Sequence, residues 1–416
     1  MKKLNVITAM VLNLQLFATQ VTTQESLSDE MKTFYDMTLI DMASASLVHD
    51  QFAQKKPIPK NNGKTIEFRK FAPLNKALTP LTEGVTPDGN SLTVTSITAT
   101  VSQYGDYITQ SDVLELTAID NTIVEATKLL GKQAGLTLDT VTRNVLNSGT
   151  NVSYASKWSG TTETEVTKRG DLDNTSVLTV DAVNQMVAKL RSINAPTVDG
   201  QYYGAIIHPL NAYELMRDDD WKRPHEYVDT KNVYAGEIGE IGGVRFVQSS
   251  EAKIFGAETG LLINYGSGYT GAITSVAFDG KLEGATVVAD ALIGKYIRLN
   301  GVTAKITDND TTSITFASTN FGTVADNDKI DIVPCAAGAV FSTIFVGDGA
   351  YGVTEVTGGG LETIVKQKGS AGTADPLDQR SSVGWKAIKT AEILIPDYLI
   401  RFESVSPRFS ATTPSN

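Results

Sequence analysis

Cysteine is all but missing from this chain, with one residue, Cys335, in 416. A lone thiol excludes an internal disulfide and a multi-thiolate zinc site, and it suits a reducing compartment. Cys335 follows Pro334 and has no basic neighbour to lower its pKa, so it reads as inert. Histidine is nearly as scarce: His49, His208 and His225 stand far apart in sequence. Positive charge is in deficit, 36 Lys and Arg against 47 Asp and Glu, for a net charge of -11. No basic run interleaved with aromatics occurs, which argues against a nucleic-acid-binding surface spread over the protein. With hydrophobic residues at 41% and charged residues at 20%, the balance is that of a folded globular chain. It argues against both disorder and a membrane-spanning protein.

What is present is a long helical pattern over residues 119–146. Ile119, Ile123, Ala126, Leu130, Ala134, Leu138, Val141 and Val145 recur in steps of three and four, placing them on one stripe. Such a helix runs roughly 40 Å. Gly131 and Gly135 each cost about 1 kcal/mol relative to alanine, so packing must hold it, and a sheet beside the stripe is the expected partner. Asp120 and Glu125 near its start and Arg143 near its end suit the helix dipole. A chain of this length implies two or three domains around such a spine.

The opening MKKLNVITAMVLNLQLFATQ imitates a secretory signal, but Asn5, Asn13 and Gln15 interrupt the apolar run and residues 17–20 make a poor cleavage site. It reads instead as an arm that lies on something. Residues 24–51 carry scattered apolar positions with Ser28 as an N-cap, an interrupted helix without a core of its own. Residues 64–71 and 91–104 read as strands joined by a connection with Pro73, Pro80, Pro87 and an Asp88-Gly89 turn. So long a connection is a functional loop or a projecting hairpin.

A second core begins near Leu178. Val183, Met186, Val187, Leu190 and Ile193 line one helical face, and YYGAII at 202–207 has the continuous apolar pattern of a strand covered on both sides. Pro209 opens a short helix. From 266 to 338 the pattern is β throughout, with an Asn300-Gly301 hairpin turn between KYIRL and VTAKI, then TSITFAS and DKIDIV. This is a small β module interrupting a larger domain.

Chemistry-bearing groups are few. GSGYTG at Gly266–Gly271 matches a dinucleotide fingerprint but is followed by a strand pattern, and reads as a linker into the module. Gly358–Gly360 lacks the Lys and Ser/Thr of a phosphate loop. Asp218, Asp219 and Asp220 near His225 have the makings of an acid-base or cation site, yet read as a solvated loop at a subunit contact. His208 reads as a satisfied polar residue beside a buried strand. Asp308, Asp310, Asp326, Asp328 and Asp331 lack the glycine and terminal Glu of a calcium loop and read as turn formers. No nucleophile, base and orienter set emerges, so no catalytic, cofactor or metal residue is assigned and an enzyme is not expected.

The order of parts resembles a known family. NLQLFA closing the arm, LTEGVTPDG in the hairpin, the spine helix, GEIGGVRFVQSSEA, and AYGVTEVTGGGLETIVKQKGSAGTADPLDQRSSVGWKA together resemble the major capsid proteins of tailed bacteriophages, in the branch similar to the capsid protein of the phage named N-four. The resemblance covers residues 1 to about 265 and 340 to 405, the last block being the most specific. It implies an α+β, Hong-Kong-97-type fold: N-terminal arm 1–59, extended hairpin loop 60–103, peripheral domain 104–177, axial domain 178–265 with its return at 339–380, and peripheral strands 381–416. The insertion 266–338 would sit outside as decoration, and the loop 218–239 would point to a capsomer axis. It implies self-association into hexamers and pentamers of an icosahedral shell that encloses double-stranded DNA without sequence-specific binding. Scaffold, portal and decoration proteins would be partners, with assembly in the host cytoplasm and no membrane. Two other readings stand beside it: a secreted β-rich surface or adhesion protein, and an acid-dependent hydrolase centred on Asp218 to His225.

Overall fold

The computed structural model describes residues 39, 42–43, 46–57, 64–71, 74, 76–78, 80, 83–84, 89–117, 122–225, 237–354, 361–366, 368, 376–377, 379–411 and 413–416. The arm up to residue 38, with its Ser28 cap, and Gly358–Gly360 lie outside the described residues. The chain divides into two compact units, one within residues 1–46, 103–135 and 356–388, the other within 47–102, 136–355 and 389–416. The spine helix, Thr122–Asn147, lends its first half to one and its second half to the other.

In the first unit, strands Leu361–Lys366, Arg380–Lys389 and Ser102–Ser111 form a sheet in that order. The single strand expected over 91–104 is therefore two, Val94–Thr100 and Ser102–Ser111, in different sheets. Alternation continues across the break, but alternation says nothing about which neighbour a strand joins. Ser111 does not lead straight into the spine helix either. Its Oγ accepts from the Leu114 amide at 3.3 Å and starts a separate short helix, Asp112–Thr117.

The first half of the spine helix buries Ala126, Leu130 and Ala134. Its partner at the two glycines is not a sheet, as expected, but the helical backbone around Leu39, Met42 and Ala43. A methyl group on Gly131 would meet the Leu39 carbonyl oxygen at 3.0 Å, and one on Gly135 would meet that of Ala43 at 2.6 Å. The glycines thus trade helix propensity for close backbone approach. Leu39 and Ala43 are fully buried as a result.

The second unit is built on a seven-stranded sheet, in the order Val152–Tyr154, Leu399–Ser404, Val340–Val346, Tyr203–Ile207, Val244–Gln248, Glu237–Ile241, with Ile254–Phe255 also pairing Val340–Val346. Tyr203–Ile207 is buried along its whole length. Ala205 and Ile207 face the helix Val180–Ser192 with Val183, Met186 and Leu190, while Ile206 faces Leu146 of the spine helix, Phe52 and Ile344. Two covered faces are the reason for its unbroken apolar run. Thr179 caps the helix by accepting from the Ala182 amide. Ile193, expected on the buried face, is the exposed C-cap.

A closed six-stranded barrel of Glu258–Ile263, Tyr269–Gly280, Ser313–Val324, Val302–Asn309, Tyr296–Leu299 and Lys329–Val333 follows. Its core of Leu261, Ile263, Val276, Ile297, Ile314, Ile330 and Ile332 has no exposure. Asn300 and Gly301 both take positive φ, 47° and 79°, as the tight hairpin requires. The β module starts at 258 and not at 266, because Glu258–Ile263 is needed to close it. Of Gly266–Gly271, expected as the linker into the module, the first three residues lie in the turn between its first two strands and the last three open the second, Tyr269–Gly280.

Gly135→Ala separates propensity from packing. In the protein it should cost roughly 1–3 kcal/mol by overpacking and speed proteolysis around residues 39–46. An isolated 122–147 peptide should instead gain helicity by circular dichroism. A protein stabilised by the change would refute the close approach.

Candidate assembly interface

Residues 47–56, expected as part of a coreless arm, are woven into the second unit. Strand Gln54–Lys56 pairs in parallel with Tyr351–Thr354, which pairs with Ala391–Ile393. Just before it lies a buried polar cluster. Asp139 of the spine helix accepts from the His49 amide at 2.8 Å and lies 2.7 Å from its Nδ1. Asp50 accepts from the Thr142 hydroxyl at 2.8 Å and is ion-paired with Lys389, which has no exposure. The Tyr351 hydroxyl donates to the His49 carbonyl at 2.5 Å. Burial, with Asp50 and Asp139 behind it, pushes that hydroxyl well above the usual tyrosine range and keeps it a donor.

This cluster turns the second half of the spine helix. Asp139, Thr142, Arg143 and Leu146 are buried there, while Val141 and Val145, expected on the stripe, are only half-buried. Arg143 lies short of the last turn, and its guanidinium donates to the Glu251 carbonyl at 3.0 Å rather than serving the helix end. The sequence signal was there: Asp139, Thr142 and Arg143 recur at helical spacing beside the stripe.

The hairpin pairs Thr65–Phe71 with Val94–Thr100 from Thr65↔Thr100 to Phe71↔Val94. Its base is anchored, with Ile66, Phe68 and Ala99 buried against Leu394. Beyond the base the situation reverses: every described residue from 74 to 93 is exposed. Leu78 is 82% exposed, and Leu74 and Leu92 more than 60%. In the first unit Tyr107, Val113 and Leu129 are likewise more than 60% exposed. Burying each such side chain is worth roughly 1.5–3 kcal/mol, so surfaces of this kind mark contacts with other molecules.

The other sequence candidates have structural roles. His208 is the N-cap of helix Pro209–Arg217, its Nδ1 accepting from the Leu210 amide at 3.2 Å, and its ring packs on Phe341. Burial lowers its pKa to about 4. Asp218 accepts from the amides of Val180 and Asp220, each at 3.0 Å, and Asp219 pairs with Lys222. The carboxylates of Asp218 and Asp219 are spent on local structure, and the His225 side chain lies outside the described residues. Where a helix would have to follow GSGYTG to hold a pyrophosphate, strand Tyr269–Gly280 runs instead. Asp310 accepts from the amides of Thr312 and Ser313, Asp328 from that of Ala325, and Asp331 pairs with Arg298. Cys335 is buried, which pushes its thiol up to about 11. Among the described residues no group of three or more His, Cys, Asp or Glu is placed to hold a metal ion. No described helix is long and apolar enough to cross a membrane.

Lys389→Met strands the buried Asp50 carboxylate and should cost about 3–5 kcal/mol in urea unfolding. The double variant with Asp50→Leu should recover at least half of that, and no recovery would remove the pair as the cause. For His208, the folded pKa of about 4 lies below the unfolded 6.5, so protons favour the unfolded chain. Its contribution is complete above pH 6.5 and is lost as pH falls towards 4, at about 1.4 kcal/mol per unit of depression. His208→Asn, which keeps a capping oxygen, should flatten the stability profile in that window.

No protein-family model matches the sequence, and neither does any curated protein. Among solved structures, the chain is similar to the capsid of Ralstonia phage GP4, with a TM-score of 0.51 and 12% identity over 86% of this chain and 87% of that one. It is also similar to the capsid of cyanophage P-SCSP1u, with a TM-score of 0.47 and 11% identity over 86% and 88% of the two chains. For the capsid of cyanophage Pam1 the values are 0.47 and 12%, over 83% and 87%. At this identity the likeness speaks for fold, and the chain accordingly has the mixed α+β fold of a phage capsid protein, that of Ralstonia phage GP4.

Proposed function

We propose that this chain is the major capsid protein of a tailed bacteriophage, self-assembling into the head shell that encloses the double-stranded DNA genome. The observation that carries this is a hairpin with a buried base and a far end whose described residues, Leu74, Leu78 and Leu92 among them, are all exposed, in a chain with a phage capsid fold. Apolar side chains held out on an anchored projection gain nothing from their own core. They gain it from a neighbouring copy, and a contact repeated around an axis closes into a ring that tiles a shell. The exposed Tyr107, Val113 and Leu129 supply a second such surface.

In finer detail the reading is a Hong-Kong-97-type arrangement, with residues 60–103 as the extended loop, the spine helix in a peripheral domain, and the seven-stranded sheet in the axial domain. The barrel is the inserted module, mounted outside. Copies form hexamers and pentamers in the virion after assembly in the host cytoplasm, with scaffold, portal and decoration proteins as partners. The role is structural and not enzymatic. A net charge of -11 suits a container that does not grip its genome. A secreted adhesion protein is disfavoured by the capsid fold, and a hydrolase by the local bonds that occupy Asp218.

Shortening the loop between Phe71 and Ser91 to a tight turn should leave a folded chain with an unchanged circular dichroism spectrum that no longer closes shells. Closed particles from that deletion in negative-stain micrographs would refute the assigned role of the hairpin.

A further inference from the structure

The barrel joins the rest of the second unit through two connections, residues 256–257 ahead of Glu258–Ile263 and residues 334–339 after Lys329–Val333. Residues 410–416 lie across both. The Ser410 carbonyl accepts from the Ala339 amide at 2.8 Å, and Pro414 forms a parallel bridge with Ala257. Between those two points the Ala411 carbonyl accepts from Arg298 of the barrel. Asn416 then closes on the sheet side. Its Oδ1 accepts from the Ile254 amide at 2.8 Å, its Nδ2 donates to the Ala252 carbonyl at 2.9 Å, and its backbone oxygen accepts from Lys253. The Ser415 hydroxyl donates to the Ile254 carbonyl at 3.2 Å. A glycine admits the crossing at each connection: a methyl group on Gly256 would run into the backbone of Pro414 and Ser415, and one on Gly338 into the Ser410 carbonyl.

We infer that residues 411–416 are a detachable clasp that fixes the barrel on the seven-stranded sheet, and that with the clasp lifted the barrel moves about its two connections while both cores stay folded. Detachment follows from what holds the segment. None of its described residues is buried, so it is held by surface hydrogen bonds of modest net worth and not by apolar burial. Segments so held open at far lower cost than a core does. Ser410, by contrast, is buried and marks where the clasp is rooted. The independence of the barrel follows from its closed ring of strands around a core of its own, which leaves no edge to be tied to the sheet. Elsewhere it meets the unit through contacts such as the exposed pair of Lys305 with Asp171 at 3.2 Å, and a pair of that kind holds little. The inference is independent of the capsid reading.

Nitroxide labels on Ser318→Cys in the barrel and Ala188→Cys on the helix Val180–Ser192, both exposed positions, in a Cys335→Ser background, report the separation of barrel and sheet by double electron-electron resonance. The full chain should give one narrow distance distribution. Deleting residues 411–416 should broaden it by about twofold or more, the mark of a module freed to move. Gly256→Val, which displaces the segment without shortening the chain and stands outside the left-handed region, should broaden it likewise. Lys305→Met should leave the width unchanged. Circular dichroism of both clasp variants should match that of the full chain. An unchanged width in either clasp variant, broadening by Lys305→Met as large as that by the deletion, or loss of strand signal on deletion would each overturn the inference.

Discussion

The second unit depends on two carboxylates held by hydrogen-bonding and ion-pair partners inside a core. Asp139 and Asp50 are almost without exposure, and each is surrounded by groups from different stretches of chain: His49 for the first, Thr142 and Lys389 for the second. A buried charge is tolerable only when every partner is present at once. The cluster therefore acts as a register for the fold. It accepts one placement of segment 47–56, one rotation of the second half of the spine helix and one position of Lys389. Apolar contacts alone leave such choices softer, because a hydrophobic surface is satisfied by many neighbours.

Around that register the chain separates surfaces that close on themselves from surfaces that do not. The seven-stranded sheet is covered on both faces, and the barrel has no free edge, which removes the usual invitation to strand addition. The hairpin does the reverse, anchoring Phe68 and Ile66 while holding Leu74, Leu78 and Leu92 out in water. A projecting apolar finger is a liability for a solitary protein and an asset for one that lives among copies of itself. That contrast, more than any single residue, is what the proposed shell-forming role rests on.

The barrel carries a different lesson. Its core is self-contained, and the strands that flank it, Ile254–Phe255 and Val340–Val346, pair with each other, so the main chain leaves and returns at neighbouring points of one sheet. Two connections so close together can be spanned by one short segment, and residues 410–416 span them.

Much of this was legible from residue order. Hydrophobic periodicity located the spine helix, the helix Val180–Ser192 and the doubly covered strand Tyr203–Ile207, because burial on one or two faces writes itself directly into the spacing of apolar residues. Asn300-Gly301 announced its turn because few other pairs tolerate two positive φ angles in succession. Only the tertiary structure decided which strands are neighbours, that Glu258–Ile263 belongs to the barrel, that Gly131 and Gly135 admit another backbone, and that Asp139 and Thr142 point inward to meet His49 and Asp50. The reason is physical: periodicity records how much water a side chain sees, whereas pairing, close approach and charge satisfaction depend on partners distant in the chain, as His49 is from Asp139 and Asp50 from Thr142, which no local pattern encodes.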